Sequence, residues 1–280
     1  MPGFYTRSRL WRLGFEIVKN ACAGYSKCYT PSMTQGTRVL FLGAGNAFCA
    51  SGRHQAAYLM QAGDAAFLLD CGATVLASLK RDRIDTLTID TILVSHLHGD
   101  HFCGIPFLLL EYVYENPRSR PLTIAGPPGT EDRVWKLFRT LYQDAARQPL
   151  PFALEFKEMQ PEERVHFGPI AVDPFRVPHQ EREISLGLRV NVDGKAVLYS
   201  GDTGWTEDLI SRSAGTDLFI CECCFFETRV PFHLDYPRIA ENQSRLETNR
   251  LVLTHLGSEV LRRRNEVEIE LAVDGLAIEL

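Results

Sequence analysis

Short apolar runs, each bounded by Gly, Asp or Pro, recur along the chain from Thr37 onward. Such runs are typical of buried strands joined by tight turns. They predict strands at 39–42, 65–69, 91–94, 170–177, 186–192, 196–199 and 251–253. Helical spacing of apolar residues predicts helices at 107–114, 131–142 and 236–246. Because strands and helices mix without an internal repeat or a long linker, residues 37–280 are predicted to form one α/β domain with mixed sheets.

The first 36 residues differ in composition from the rest of the chain. Their basic residues outnumber a single acidic residue, Glu16, and Leu10, Leu13 and Ile17 could line one helical stripe. An Arg-rich, acid-poor start is also typical of transit peptides and of helices that bind surfaces. We predict a basic N-terminal extension at residues 1–36, ahead of the domain at 37–280.

Composition narrows the class of protein. Hydrophobic residues make up 45% of the chain and charged residues 23%, as in soluble globular proteins. No apolar run approaches the roughly 20 residues of a membrane-spanning helix, so no membrane span is expected. The net charge of −5 argues against a broad basic face for nucleic acid. The eight cysteines lack paired spacing, which favours free thiols and a reducing, cytoplasmic location.

Metal-type ligands follow the predicted strand at 91–94. His96, His98, Asp100 and His101 lie within six residues, and Gly99 among them permits a tight turn. Imidazole nitrogens and carboxylate oxygens are ligands that zinc prefers. Because polar residues of this kind have no packing reason to cluster after a buried strand, the sequence predicts a metal site here.

Other predicted strands also end in candidate ligands. His179 follows the strand at 170–177, Asp202 follows the strand at 196–199, and His255 follows the strand at 251–253. A lone histidine at a strand end is usually structural. Taken as a series, these three residues are predicted to complete the site.

Asp70, the His-x-His-x-Asp-His string and the three later ligands together resemble the ordered pattern of the metallo-β-lactamase superfamily. The resemblance covers residues 37–280 and implies a four-layer αββα sandwich with two mixed sheets and the site along one edge. It implies two divalent metal ions, with zinc favoured and manganese or iron as alternatives. In that arrangement one ion is held by His96, His98 and His179, the other by Asp100, His101 and His255, and Asp202 bridges both.

His233 resembles the additional histidine of the ribonuclease Z and small phosphodiesterase branch, which assists at the scissile phosphate. The tRNA-gripping arm of the long-arm ribonuclease Z type is missing between His179 and Asp202. The resemblance therefore implies a phosphodiesterase that acts on a small anionic substrate, a phosphodiester or nucleotide, through a metal-bridging hydroxide. Asp70, Asp100 and His233 are its predicted catalytic residues, with Asp70 orienting a ligand or the bridging water. The branch also suggests a homodimer.

Two other functions stay open. The same site would serve hydrolysis of a carboxylic ester, thioester or lactone, as in the glyoxalase II and lactonase branches, or the chain would be a catalytically inert metal-binding interaction module. Glu222 is a candidate partner of a ligand or of His233. Arg53 and His54 either touch an anionic group or are ordinary loop residues.

Overall fold

The computed structural model describes residues 36–280, and this range contains two seven-stranded sheets. Its strands are β1 Thr37–Gly43, β2 Ala57–Ala62, β3 Ala65–Leu69, β4 Thr91–Leu93, β5 Leu122–Gly126, β6 Leu154–Glu158, β7 Val165–Phe167, β8 Ile170–Arg176, β9 Leu186–Val192, β10 Lys195–Tyr199, β11 Leu218–Glu222, β12 Leu251–Thr254, β13 Glu270–Leu271 and β14 Ala277–Glu279. The strand orders are β14-β1-β2-β3-β4-β5-β6 and β13-β12-β11-β10-β9-β8-β7. Each sheet mixes parallel and antiparallel pairs, as predicted.

Helices cover the outer face of each sheet. They are α1 Val75–Arg81, α2 Gly99–Phe102, α3 Ile105–Tyr114, α4 Thr130–Leu141, α5 Asp208–Ser213, α6 Tyr236–Asn242 and α7 Ser258–Arg262, with 3₁₀ turns at Ala50–Gly52, Thr86–Thr88, Ala145–Arg147, Gln243–Arg245 and Arg264–Glu266. Apolar residues of α1 to α4 pack on the first sheet, and those of α5 to α7 pack on the second. The four-layer αββα sandwich is therefore confirmed.

Strand β1 shows why its apolar run is continuous. Val39 and Phe41 point into the core between the two sheets, whereas Leu40 and Leu42 point into the core beneath the helices. Successive side chains of a strand alternate between its faces, so a strand buried on both faces needs apolar residues throughout.

The β9–β10 hairpin turns at Asp193 and Gly194, which both have positive φ, 50° and 72°. Paired left-handed residues match the natural twist of a two-residue hairpin, which explains the Asp-Gly signal in the sequence. Other local predictions needed correction. Gly99 opens the helical turn α2 instead of a tight turn, and α6 ends at Asn242 before a separate 3₁₀ turn. The predicted N-terminal extension lies, apart from Gly36, outside the described residues and stays a prediction.

Neighbouring strands in both sheets end at one edge of the sandwich. Strands β3 and β4 run parallel in the first sheet, and β10, β11 and β12 run parallel in the second. In open sheets the crevice beyond the carboxyl ends of parallel strands is the usual ligand site. The segments that follow these five strands carry most of the predicted ligands.

No helix in the range 36–280 is both long enough and apolar enough to cross a bilayer.

Candidate metal centre

The structure brings all seven predicted ligand residues to this edge. His96 and His98 follow β4, while Asp100 and His101 lie on α2. The other three follow the ends of separate strands: His179 follows β8, Asp202 follows β10 and His255 follows β12. Their donor atoms form two groups, in each of which all donors lie within 4.8 Å of one another.

The first group consists of His96, His98, His179 and Asp202. Nε2 of His179 lies 2.9 Å from Nδ1 of His98. Oδ2 of Asp202 lies 3.8 Å from Nε2 of His96 and 3.9 Å from Nε2 of His179. Three imidazoles and one carboxylate are a donor set typical of zinc.

The second group consists of Asp100, His101, Asp202 and His255. Nε2 of His101 lies 3.2 Å from a carboxylate oxygen of Asp100 and 3.2 Å from one of Asp202. Nε2 of His255 lies 3.2 Å and 3.4 Å from the same two oxygens. Asp202 belongs to both groups, so one carboxylate stands between two sets of donors.

Hydrogen bonds behind the site assign the tautomers of three of the predicted ligand histidines. Nδ1–H of His101 donates to Asp70 at 2.7 Å, and Nδ1–H of His179 donates to the carbonyl of Phe232 at 2.8 Å. The hydroxyl of Ser95 donates to Asp70 and therefore accepts from Nδ1–H of His96 at 3.0 Å. Each ring thereby presents its Nε2 lone pair to the site, the form that ligates a metal.

Several buried atoms of the site have no hydrogen-bond partner within the described part of the chain. They include Nε2 of His96, Nε2 of His101 and Oδ1 of Asp202. An unsatisfied buried polar atom costs free energy, so a native structure needs a reason for each one. Divalent cations at the two groups would satisfy all three atoms, and the residues therefore fit the predicted metals.

The electrostatics of the site also favour cations. Burial lowers the pKa of His96 well below its ordinary range and that of His179 to about 4, so both rings are neutral ligands at pH 7. Burial by itself raises the pKa of Asp202, but His101 and His255 outweigh it and hold that pKa well below its ordinary range. The Asp202 carboxylate is therefore ionised beside the neutral rings of His96 and His179, and its negative charge is available to a cation.

Asp70 lies behind the ligands and does not belong to either donor group. It is fully buried and accepts hydrogen bonds from the backbone and hydroxyl of Ser95, from His101 and from the hydroxyl of Tyr199. The sequence placed Asp70 in the site, but it carried no signal for Ser95 or Tyr199. Tyr199 is the last residue of a buried strand, where an aromatic residue is ordinarily core.

His233 lies between the two donor groups. Its ring stacks on His255, with centroids 5.5 Å apart, and meets His179 edge-on at 4.9 Å. Its Nδ1–H donates to Oε1 of Glu222 at 2.8 Å, and Glu222 is fully buried. Burial alone would lower the pKa of His233, but the Glu222 carboxylate outweighs it and raises that pKa to about 9.

The remaining candidates of the sequence have structural contacts. The guanidinium of Arg53 donates to the carbonyl of Ala272, and His54 contacts the hydroxyl of Ser78. Cys221 and Cys223 are buried free thiols whose pKa is raised by burial. These contacts support the loops and the core around the site, and a contact of Arg53 or His54 with an anionic group stays a prediction.

Comparison with known proteins identifies the fold. The family model described as anti-Pycsar protein Apyc1 matches residues 37–272. A ribonuclease Z of Methanosarcina mazei is 24% identical over 273 residues, 79% of this chain and 88% of that protein. The metallo-β-lactamase fold protein YhfI of Bacillus subtilis superposes with a TM-score of 0.71 at 23% identity, covering 88% of this chain and 100% of YhfI. Human tRNase Z, short form, also reaches 0.71, at 24% identity over 86% of this chain and 98% of that protein. The fold and the resemblance to the ribonuclease Z branch are both confirmed.

Proposed function

The chain belongs to the family of the anti-Pycsar protein Apyc1, within the metallo-β-lactamase superfamily, and from this premise we propose that it is a dinuclear metal-dependent phosphodiesterase. Its substrate is proposed to be a small phosphodiester or a nucleotide. The observation that best supports this function is the position of His233. Buried Glu222 fixes its ring, which lies against His255 of one donor group and His179 of the other.

The ligand residues define where the ions would bind. His96, His98 and His179 would hold one ion, Asp100, His101 and His255 would hold the other, and Asp202 would contact both. Two divalent cations bound there, zinc in the first place given this donor set, would supply Lewis-acid charge at a phosphoryl group and would lower the pKa of a bound water towards about 7.

His233 supplies the proton chemistry. Because its Nδ1–H is committed to Glu222, only Nε2–H is left for a substrate in the cleft that His233 lines. The raised pKa keeps the ring protonated at neutral pH. From this position it can donate to a phosphoryl oxygen or protonate the leaving alkoxide.

Glu222 holds His233 in one orientation. Its Oε1 also accepts from the backbone N–H of Thr203, beside the shared ligand Asp202, at 2.6 Å, and its Oε2 accepts from the backbone N–H of Cys224 at 3.2 Å. A buried carboxylate with all these donors cannot rotate without losing hydrogen bonds. Glu222 thereby fixes the position of the His233 ring relative to Asp202.

The surroundings of the site favour a small substrate. Between His179 and Asp202 the chain forms a loop and the β9–β10 hairpin, with no inserted arm in this described stretch. The cleft beside His179 and His233 has a volume of about 490 Å³, within the range of small-molecule sites. Relatives named ribonuclease Z and tRNase Z support phosphodiester chemistry.

The test is a substrate panel with metal-reconstituted protein. Bis-p-nitrophenyl phosphate, cyclic and linear nucleotides and RNA 3′-end phosphodiesters are assayed beside lactones and thioesters. We expect hydrolysis of phosphodiesters. Cleavage of the carboxylic substrates alone would assign the chain to ester, thioester or lactone hydrolysis. Two bound ions with no activity on any substrate would favour the inert binding module.

Two further properties are proposed, the oligomeric state and the cellular compartment. The chain is proposed to act as a homodimer, which light scattering of the purified protein would measure. Its buried free thiols, among them Cys71, Cys221 and Cys223, suit a reducing, cytoplasmic compartment, which imaging of the tagged protein would check.

A further inference from the structure

The cleft at the metal centre has one large aromatic side chain in its wall. Phe232 lines it together with His98, His179 and His233, and 45% of the Phe232 residue is exposed. A single exposed aromatic residue on a convex surface needs no explanation. An aromatic ring in the wall of a concave site, next to the chemistry, presents a face on which a planar group can stack.

The backbone that carries Phe232 is held in place from two sides. Its carbonyl accepts the Nδ1–H of the ligand His179. Behind it, Gly204 approaches so closely that an added Cβ would lie 1.8 Å from the carbonyl oxygen of Pro231. The N–H of Gly204 also donates to the carbonyl of Pro178 at 2.7 Å. The ring is thus attached to the same interlocked backbone as the ligands, and it needs little ordering when a substrate binds.

The rest of the cleft is polar. The segment Gln180 to Glu183 lines it, and that segment is tied down by Ser185, which donates to Gln180, and by the ion pair of Glu183 with Arg133 at 2.6 Å. One aromatic face among polar groups is the pattern that binds nucleobases, since every base has a face to stack and edges to hydrogen-bond. A simple alkyl ester would leave the Phe232 ring unused.

We infer that Phe232 is a specificity-determining residue that stacks on the nucleobase of the substrate, so that the enzyme prefers nucleoside phosphodiesters to alkyl phosphodiesters. This inference rests on the proposed phosphodiesterase function. It adds a residue outside the metal ligands and His233, and it states which part of the substrate that residue contacts.

The test compares two chromogenic esters with the same leaving group. Metal-loaded protein is assayed with thymidine 5′-(p-nitrophenyl) phosphate and with methyl p-nitrophenyl phosphate, and the ratio of the two kcat/KM values is the readout. Phe232→Ala and Phe232→Leu should lower this ratio by at least about 5-fold, the lower end of what a base–aromatic stack contributes. Phe232→Tyr, which keeps the ring, should retain most of it. Tyr114→Ala, an exposed aromatic residue on α3 with 40% exposure, is the matched control and should leave the ratio unchanged.

Two results would overturn the inference. If Phe232→Ala leaves the ratio of the two kcat/KM values unchanged, Phe232 does not recognise the base. If Phe232→Leu keeps the wild-type ratio, the side chain acts by apolar contact and not by stacking. Binding of thymidine 5′-monophosphate, measured by calorimetry on the same metal-loaded variants, gives a second readout that should weaken by a similar factor in Phe232→Ala. If the wild-type protein hydrolyses neither ester, the proposed function fails, while the calorimetry still decides whether Phe232 stacks on a base.

Discussion

Oδ2 of Asp70 lies 2.7 Å from Nδ1 of His101, on the side of the imidazole that faces away from the other ligands. The same carboxylate accepts the hydroxyl of Ser95, which in turn orients His96. One buried acid therefore sets the tautomer of a histidine in each donor group. Asp70 itself has a left-handed backbone, φ 56°, a conformation that Asp tolerates better than most residues.

Asp70→Asn should weaken metal binding by about 10- to 100-fold, the usual effect of losing the partner of a ligand histidine. The amide is a poorer acceptor than the carboxylate. It therefore holds His96 and His101 less firmly in the tautomer that leaves the Nε2 lone pair free for a metal. Metal affinity is measured by competition with a chromophoric chelator. Tyr199→Phe removes a single donor to Asp70 and should have a smaller effect. Equal affinity in Asp70→Asn and the wild type would show that the tautomers do not depend on Asp70.

Asp202→Ala should reduce the metal content below that of the wild type at both positions. The Oδ2 atom lies within 3.9 Å of an Nε2 atom on four histidines, so the substitution removes one ligand and its negative charge from each donor group. Elemental analysis of dialysed protein measures the ratio of ions to chain. Asp208→Ala, an exposed residue on α5, is the control. Two retained ions in Asp202→Ala would contradict the shared-ligand assignment.

His233→Ala should keep the bound metal but lower kcat by roughly 10²- to 10⁴-fold, the range for losing a positioned general acid. Glu222→Gln should lower kcat less, because the imidazole remains but loses the charge that keeps it protonated. Steady-state kinetics and elemental analysis are run on the same preparations. The control is His166→Ala, because His166 is an exposed residue of β7 and belongs to neither donor group. Metal loss in His233→Ala would make His233 a ligand or a fold residue instead.

Glu259 ties the loop before His233 to α7. Hydrogen bonds from the hydroxyl and N–H of Thr228 and from the N–H groups of Phe226 and Glu227 lower the pKa of Glu259 to about 2 from its ordinary 4.5. A lowered pKa stabilises the fold above the ordinary value, and this stabilisation is lost as the pH falls from 4.5 towards 2.

Glu259→Gln should therefore destabilise the protein by about 1 kcal/mol near pH 7, a modest value because the carboxylate is partly exposed to solvent. The difference from the wild type should narrow below the ordinary pKa. Urea unfolding near pH 7 and near pH 3.5 measures it. Glu241→Gln, exposed on α6, should change neither value. A difference that is the same at both pH values would show that the charge of Glu259 is not the cause.

The local parts of this fold were open to prediction from the sequence. The apolar run of β1, the Asp193-Gly194 turn and the spacing of α4 each depend on neighbours a few residues away, so periodicity and turn chemistry suffice. The ends of two elements differ from the prediction. α6 ends before its apolar pattern does, and Gly99 begins a helical turn in which its freedom to adopt positive φ is not used.

What the sequence by itself determined was the set of candidate donor residues and their order, because a His-x-His-x-Asp-His string and single His or Asp residues at strand ends are chemical features that can be read without coordinates. Only the tertiary structure decided their partners. Asp70 meets Tyr199 across 129 positions, and of the two kinds of partner that the sequence offered for Glu222, a ligand or His233, the structure shows His233. Phe232 gains its place in the cleft in the same way. Such pairings depend on which strands become neighbours and on where each side chain points at the sheet edge, and neither is encoded in any short stretch of chain.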